Sequence, residues 1–256
     1  MKYFVFSDVH GFYSIFKEAL EQSGFDETNP NHMLISIGDN FDRGQENYQM
    51  FTFLKEMKAK KKIILVKGNH EDLIAEMILR RYPLSRDLHN KTYQTMEEFG
   101  EVYFKDKDSF YLRVEDLYQK LKEDEFLDFI YDMNDYYETD HYIFTHAYIP
   151  INPDYTYKKD WRNATYQEFK EARWRNGMGI SIDLDIGETG KKIVVGHWHT
   201  YYGNIRKKYN YDQTILYPRI DYEDLSLFKP YEDKNMIAID AHTAGTNMVN
   251  ILVLED

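Results

Sequence analysis

Cysteine is absent from this chain of 256 residues. Its absence excludes disulfide bonds, zinc–thiolate sites, iron–sulfur clusters and a cysteine nucleophile. Any metal ion must therefore be bound by histidine nitrogen, carboxylate oxygen or amide oxygen.

Basic residues are also in deficit. The chain has 32 Lys and Arg residues against 44 Asp and Glu residues, which gives a formal net charge of −12. Proteins that coat nucleic acid neutralise its phosphates with a basic surface, so general nucleic-acid binding is disfavoured. Local basic pockets remain compatible with this charge.

Long apolar runs are missing as well. The first apolar run, Tyr3–Phe6, ends at Ser7 and is too short for a signal peptide. No window approaches the length of a transmembrane helix. We therefore expect a cytoplasmic protein with no membrane association.

The chain does contain enough apolar material for a folded core. Its residues are 43% hydrophobic and 16% aromatic, which excludes intrinsic disorder as the overall state. Short β-rich runs alternate with segments of helical spacing, and this pattern predicts an α/β fold with a largely parallel sheet. The last two strands are expected to be joined by a turn around Gly245. The predicted strands are Tyr3–Phe6, Met33–Ile37, Ile63–Val66, Tyr142–Phe144, Ile193–Val195, Met236–Ile239 and Met248–Leu254.

The middle of the chain differs from this pattern. From about residue 83 to residue 140 it is acidic, rich in tyrosine and mainly helical, as in Glu115–Phe129. We interpret this segment as a helical insertion that rims the site, within a single domain that spans residues 1–256. The segment Tyr201–Glu232 is expected to be rich in loops and to shape the substrate opening together with the insertion.

Polar residues directly follow five of the predicted strands. In open α/β sheets, ligands bind outside the carboxyl ends of the strands. Glycines beside these residues permit sharp turns and a close approach of the backbone. The shared placement indicates one common site. The five motifs are Asp8-Val9-His10-Gly11, Gly38-Asp39-Asn40-Phe41-Asp42-Arg43-Gly44, Gly68-Asn69-His70-Glu71, Thr145-His146-Ala147 and Gly196-His197-Trp198-His199.

Imidazole, carboxylate and amide ligands suit divalent ions such as Mn²⁺, Zn²⁺ or Fe²⁺. The candidates are too many for one tetrahedral ion, whereas two ions about 3.5–4 Å apart with a bridging carboxylate would use them fully. Two dications facing Asp8, Asp39 and a bridging hydroxide keep a net positive charge. Together with Arg43, this charge would attract a phosphate group.

Taken in order, the five motifs resemble those of the calcineurin-like metallophosphoesterase superfamily. The Asp42-Arg43-Gly44 form and the following Asn69-His70-Glu71 are similar to its phosphoprotein phosphatase branch. That branch includes bacterial and phage Ser/Thr phosphatases and the related diadenosine tetraphosphatases. The resemblance implies a four-layer α/β/β/α sandwich with a dimetal site at the strand ends.

The resemblance also implies a ligand set in which Asp39 bridges two ions. His199 departs from the phosphatase branch, which usually lacks a histidine there. In the wider superfamily a histidine at this place often completes the coordination of the first ion; a histidine at the rim of the site is the alternative. The implied ligands are Asp8, His10 and Asp39 for the first ion, Asp39, Asn69, His146 and His197 for the second, and His199 as a further candidate.

Catalytic roles follow from the same resemblance. His70 matches the general acid that protonates the leaving oxygen, and Asp42 matches the carboxylate that orients it. Arg43 matches an arginine whose planar guanidinium binds two phosphate oxygens. A second arginine is expected near a tryptophan; Arg175 is preferred over Arg173, with surface pairing to nearby glutamates as the alternative for both.

The resemblance implies an enzyme that hydrolyses phosphate monoesters by direct attack of a metal-bridging hydroxide, most similar to Ser/Thr protein phosphatases. Its cofactors would be two divalent ions, manganese first and iron or zinc as alternatives. The expected partner is a phosphorylated protein or a small phosphoester. A dinucleoside polyphosphate hydrolase or small-molecule phosphodiesterase is the enzymatic alternative, and a catalytically silent metal-binding regulatory module is the non-enzymatic one. The oligomeric state is not predicted.

Overall fold

The computed structural model describes residues 1–105, 113–209 and 220–256. Its strands are short and mostly buried, as expected for strands that are covered on both faces. The strands are β1 (Lys2–Phe6), β2 (His32–Ser36), β3 (Ile63–Leu65), β4 (Tyr137–Glu138), β5 (Tyr142–Phe144), β6 (Lys192–Val195), β7 (Tyr231–Glu232), β8 (Met236–Ala238) and β9 (Leu252–Glu255).

Helices connect most of these strands. None of those in the described ranges is long and apolar enough to cross a membrane. The helices are α1 (Tyr13–Gln22), α2 (Asn47–Ala59), α3 (Asn69–Arg80), α4 (Ser85–His89), α5 (Thr92–Phe104), α6 (Val114–Glu123), α7 (Phe126–Tyr131), α8 (Tyr166–Ala172), α9 (Gly177–Asp183), α10 (Thr200–Tyr209) and α11 (Thr243–Thr246), with short 3₁₀ helices at Trp161–Asn163 and Leu225–Phe228.

The strands form two sheets. The first has the order β3-β2-β1-β9, in which β9 runs antiparallel to β1 and the other pairs are parallel. The second has the order β4-β5-β6-β8-β7, with a parallel centre and antiparallel edges. The carboxyl ends of the parallel strands therefore lie along one edge of each sheet, where the five polar motifs are found.

Successive side chains of a strand point to opposite faces of its sheet, and this alternation produces the layers. Phe4 and Phe6 on β1 pack against helices on the outer face of the first sheet, whereas Tyr3 and Val5 point to the second sheet. The second sheet presents Phe144 and other inner residues to this middle layer, and its opposite face packs against α8 and α9. The expected four-layer α/β/β/α sandwich is confirmed.

The helices of the insertion share a hydrophobic core with the first sheet. Phe99 on α5 and Phe126 on α7 contact the ring of Phe51 on α2, with centroids 5.9 and 4.8 Å away. The same cluster includes Phe6 on β1 and Phe41 in the loop after β2. The insertion is therefore packed directly behind that loop, next to the polar motifs.

The stretch Glu115–Phe129, expected to be mainly helical, contains parts of the two helices α6 and α7. They are separate because Glu125 takes a left-handed conformation (φ 58°) that a right-handed helix cannot continue. The segment Tyr201–Glu232, expected to be rich in loops, begins in α10, whose buried Tyr201 and Ile205 pack on Phe228 and its neighbours. Part of this segment, residues 210–219, lies outside the described residues.

The prediction for the last two strands is wrong in part. Both strands exist, but Gly245 lies in the short helix α11 and not in a turn between paired strands. β8 belongs to the second sheet, whereas β9 crosses to the first sheet and pairs with β1, with Leu254 opposite Tyr3. Apolar residues identify a strand, but they do not specify its partner.

We predict that Phe99→Ala lowers the free energy of unfolding of the whole domain by about 3–5 kcal/mol, because it leaves a cavity in a core shared by the insertion and the first sheet. Chemical denaturation followed by circular dichroism and by tryptophan fluorescence checks this. Val102→Ala on the same helix is the control, since Val102 is 42% exposed. Two separate transitions, with only one shifted by Phe99→Ala, would show that the insertion unfolds independently.

Candidate metal centre

The loops that carry the predicted ligands have unusual backbone conformations. Residues other than glycine rarely adopt positive φ, and such strain is often found at functional sites. Gly38 (φ 95°) brings two of these loops together, because a Cβ atom there would lie 2.5 Å from the backbone of Gly68. The site residues with positive φ are Asp8, His10, Asp39, Asp42, Arg43 and His197.

A first cluster of potential ligand atoms is formed by His10, Asp39 and His70, all within 4.8 Å of one another. His10 Nε2 lies 3.8 Å from Asp39 Oδ2 and 3.9 Å from Asp8 Oδ1. Two donors bound to one ion at about 2.0–2.1 Å are at most about 4.2 Å apart, so these atoms can share an ion. His10 Nδ1 donates to the carbonyl of Phe41 (3.0 Å), which leaves the Nε2 lone pair facing the cluster.

A second cluster is formed by Asp39, His146 and His197. His146 Nε2 lies 3.3 Å from Asp39 Oδ1 and 2.8 Å from the amide oxygen of Asn69. His146 Nδ1 donates to the carbonyl of Ile37 (2.8 Å), so its Nε2 is again the atom directed at the cluster. The three members of this cluster follow three different strands, β2, β5 and β6.

Asp39 belongs to both clusters. Its Oδ1 is directed to His146 and also accepts the backbone N–H of His70 (2.9 Å). Its Oδ2 is directed to His10, on the other side. The carboxylate is thus placed so that each oxygen could bind a different ion.

Charge supports the fit of divalent ions to these residues. Asp8, Asp39 and Asp240 are all almost completely buried. Burial raises the pKa of Asp8 well above its ordinary value, with a further contribution from the charge of Asp240, and burial raises the pKa of Asp240 to about 6. Carboxylates crowded away from water are unfavourable unless positive charge is near. Two ions with imidazole, carboxylate and amide ligands would meet this requirement.

Protonation and ion binding compete at His146. Burial lowers the pKa of His146, but the charge and hydrogen bond of Asp39, the charge of Asp8 and the carbonyl of Ile37 together outweigh burial and raise the pKa to about 9. A proton on Nε2 would occupy the position from which this nitrogen faces the second cluster. Ion binding there must therefore displace a proton.

Three of the predicted catalytic residues lie together at the first cluster, and one of them, His70, is itself a member of it. His70 Nδ1 lies 2.7 Å from Asp42 Oδ2, and both side chains are buried. Because the carboxylate can only accept, Nδ1 carries the proton and Nε2 faces the site. Arg43 Nη2 lies 3.3 Å from His70 Nε2. Burial lowers the pKa of His70, but the charges of Asp39 and Asp42 raise it above its ordinary value.

Glu71 belongs to the third motif, but sequence reasoning gave it no role. Its carboxylate is fully buried and accepts the backbone N–H groups of Asp39 (2.9 Å), Asn40 (2.9 Å) and Gly68 (2.8 Å). It thereby fixes the loop after β2 against the start of α3. A glutamate at the third position of a helix, which can reach back to the N-terminal N–H groups, is the signal that predicts this contact.

Two hydroxyl groups of the insertion were also missed. Thr92 Oγ1 donates to Asp42 Oδ2 (2.7 Å), and Thr95 Oγ1 donates to Asp42 Oδ1 (2.6 Å). Neither threonine belongs to a motif. Their contact with Asp42 depends on how α5 packs, which the sequence does not specify.

His199 lies next to the site but outside both clusters. Its Nε2 is 3.9 Å from Asp240 Oδ2, and its ring stacks on His242 with centroids 3.7 Å apart. Its Nδ1 is buried without a hydrogen-bond partner in the described ranges. Its assignment as a ligand of the first ion, or as a histidine of the rim, stays a prediction.

The two candidate arginines have different surroundings. Arg173 is buried and pairs with Asp72 (2.8 Å) and Asp135 (2.7 Å), so the alternative of surface pairing with glutamates is wrong for it. Arg175 is half-buried, and its guanidinium carbon lies 5.7 Å from the ring of Tyr155. Trp174, which is 46% exposed, has its ring 6.2 Å from that of His197. The loop that carries Arg175 therefore borders the second cluster.

Residues 1–227 match the family model described as calcineurin-like phosphoesterase. The chain belongs to this family, and it is therefore a metal-dependent phosphoesterase. The family depends on two metal ions, and the two clusters around Asp39 are the candidate positions for them.

Solved structures of several phosphatases are similar to this chain. One is provisionally described as a diadenosine tetraphosphatase (12% identity, 100% of this chain and 94% of the other, TM-score 0.49). Another is a point mutant of a cold-active protein tyrosine phosphatase (17% identity, covering 100% of this chain and 75% of the other, TM-score 0.48). A third is a protein serine/threonine phosphatase from Saccharomyces cerevisiae with similarity to human phosphatase PP5 (17% identity, covering 77% of this chain and 61% of the other, TM-score 0.44). No curated protein sequence matches the chain.

We predict that Asp39→Asn abolishes tight binding of both ions, because one carboxylate faces both clusters. Titration calorimetry with Mn²⁺ and metal analysis after gel filtration check the stoichiometry. Asp132→Asn is the control, since the side chain of Asp132 is 71% exposed, pairs with Lys58 and belongs to none of the five motifs. Two ions retained by Asp39→Asn would contradict the bridging role.

Proposed function

We propose that the chain hydrolyses phosphate monoesters in the manner of a Ser/Thr protein phosphatase. The observation that carries this proposal is the contact between His70, Asp42 and Arg43 at the edge of the first cluster. Together these residues supply a proton donor, a carboxylate that orients it and a guanidinium for phosphate oxygens.

Each of these side chains has a task in the proposed reaction. Asp42 accepts a hydrogen bond from the Nδ1–H group of His70 and thereby directs His70 Nε2 towards the departing oxygen. Nε2 then delivers its own proton to that oxygen. Arg43, whose Nη2 lies beside that nitrogen, holds oxygens of the phosphoryl group and stabilises their charge. Arg175 would bind the phosphate from the opposite side of the site, across the second cluster.

The cofactors would be two divalent ions, with manganese as the first choice and iron or zinc as alternatives. Asp8, His10 and Asp39 would hold one ion, and Asp39, Asn69, His146 and His197 the other, with His199 as a further ligand. When bound, the ions would supply Lewis acidity and activate water at neutral pH. The nitrogen and oxygen ligands, without thiolates, favour such ions. The expected cytoplasmic location stays a prediction.

A second candidate function is hydrolysis of dinucleoside polyphosphates or small phosphodiesters. The exposed ring of Trp174 beside His197 supports it, since an aromatic surface at the mouth of the site suits stacking by a nucleobase. A metal-binding regulatory module without turnover is the third alternative. The full set of His70, Asp42 and Arg43 argues against it.

We predict that the wild-type protein with Mn²⁺ hydrolyses p-nitrophenyl phosphate much faster than bis-p-nitrophenyl phosphate. The comparison of the two values of kcat/KM checks this. A preference for the diester would replace the monoesterase proposal with the phosphodiesterase alternative. Two bound ions without turnover of either ester would support the silent module.

We also predict that His70→Asn keeps both ions but lowers kcat on phenyl phosphate by about 10²–10⁴-fold, the usual contribution of general acid catalysis. The loss on p-nitrophenyl phosphate should be smaller, because its leaving group needs less help from a proton. His89→Asn is the control, since His89 is exposed and belongs to no motif. An equal loss on both esters would remove His70 from the acid role.

A further inference from the structure

One face of helix α5 is directed at the loop that carries Asp42 and Arg43. Thr92, Thr95 and Glu98 follow one another at intervals of three residues, so they lie on the same side of the helix. Thr92 and Thr95 hydrogen-bond to Asp42 in the loop between β2 and α2, and Glu98 accepts hydrogen bonds from the first two residues of α2. This face belongs to the insertion and not to the part of the chain that carries the five motifs.

The first two of these residues bind the carboxylate of Asp42. Its Oδ2 accepts from His70 Nδ1 (2.7 Å) and from Thr92 Oγ1 (2.7 Å), and its Oδ1 accepts from Thr95 Oγ1 (2.6 Å). Asp42, Thr92 and Thr95 all have an exposed fraction of 0%. Three donors from two elements thus fix both oxygens, and the plane of the carboxylate is fixed with them.

The third residue, Glu98, binds the backbone of the same loop indirectly. Its carboxylate accepts from Asn47 Nδ2 (2.6 Å) and from the N–H of Tyr48 (2.8 Å). Asn47 Oδ1 in turn accepts the N–H of Asp42 (2.8 Å). Because Asp42 has a φ of 74°, the loop needs such contacts to keep this conformation.

We propose that Thr92 and Thr95 are positioning residues for proton transfer, which makes the insertion part of the catalytic apparatus as well as of the fold. The inference rests on the proposed role of His70 as general acid. If the two hydroxyl groups are removed, the imidazole of His70 is the one side-chain donor left to the carboxylate of Asp42 among the described residues, and the carboxylate can rotate. His70 Nε2 then loses its fixed direction, and small errors in such a direction reduce proton transfer strongly.

The test compares Thr92→Val and Thr95→Val, singly and together, with Thr92→Ser and Thr95→Ser. Valine keeps the shape of threonine without the hydroxyl group, whereas serine keeps the hydroxyl group. Thr52→Val is a further control, because the hydroxyl of Thr52 bonds only to the carbonyl of Tyr48 in its own helix among the described contacts. For each variant, metal content, thermal stability and kcat on phenyl and p-nitrophenyl phosphate are measured.

We predict that the valine variants lower kcat on phenyl phosphate by about tenfold or more, with a much smaller change on p-nitrophenyl phosphate. The serine variants and Thr52→Val should stay close to wild type on both esters, and metal content should not change. Equal losses on both esters, or no loss in the double variant, would overturn the inference. If the double variant does not fold, the single variants decide by the same criterion.

A second measurement decides the inference even if the wild type hydrolyses neither ester, a result that would refute the proposed function itself. The Nδ1 proton of His70 should give a downfield, exchange-protected NMR signal, assigned by its absence in His70→Asn. Its loss or broadening in Thr92→Val/Thr95→Val, and its retention in the serine variants, would support the positioning role. An unchanged signal in the double valine variant would overturn it.

Discussion

The burial of several carboxylates in one small volume is the constraint on which the rest of the structure depends. Asp8, Asp39 and Asp240 come from the ends of strands in two different sheets and need donors or positive charge at close range. The N–H of His197 in the second sheet binds Asp8 in the first (2.9 Å). The two sheets must therefore be aligned at their carboxyl ends, and the sandwich maintains that alignment.

Much of this arrangement could be predicted because the informative residues follow strands directly. A short apolar run predicts a strand, and the polar motif that follows it predicts metal ligands at the carboxyl end of that strand. The predicted ligands Asp39, His146 and His197 meet for this reason, although they lie far apart in the sequence. His199, two residues beyond His197, contacts Asp240 and His242 and lies outside both clusters, and its role as a ligand stays a prediction.

What could not be predicted depends on contacts between segments that carry no motif. Surface pairing with nearby glutamates is one of the two alternatives for Arg173, yet its partners Asp72 and Asp135 lie 101 and 38 residues away and Arg173 is buried. Thr92 and Thr95 look like ordinary helix residues until α5 is packed behind the loop of Asp42. Helical periodicity indicates that a helix has a buried face but does not specify what covers it.

The pairing of β1 with β9 has a consequence for synthesis on the ribosome. The edge of β1 that β9 covers is formed by Lys2–Val5 and stays without its partner strand until residues Leu252–Glu255 have been translated. Chains emerge at roughly 5–20 residues per second, so this edge remains open for about ten seconds or more. Unpaired strand edges attract other chains. Completion of the first sheet therefore waits for Leu252–Glu255, and until then the edge of β1 in the nascent chain is open to pairing with other chains.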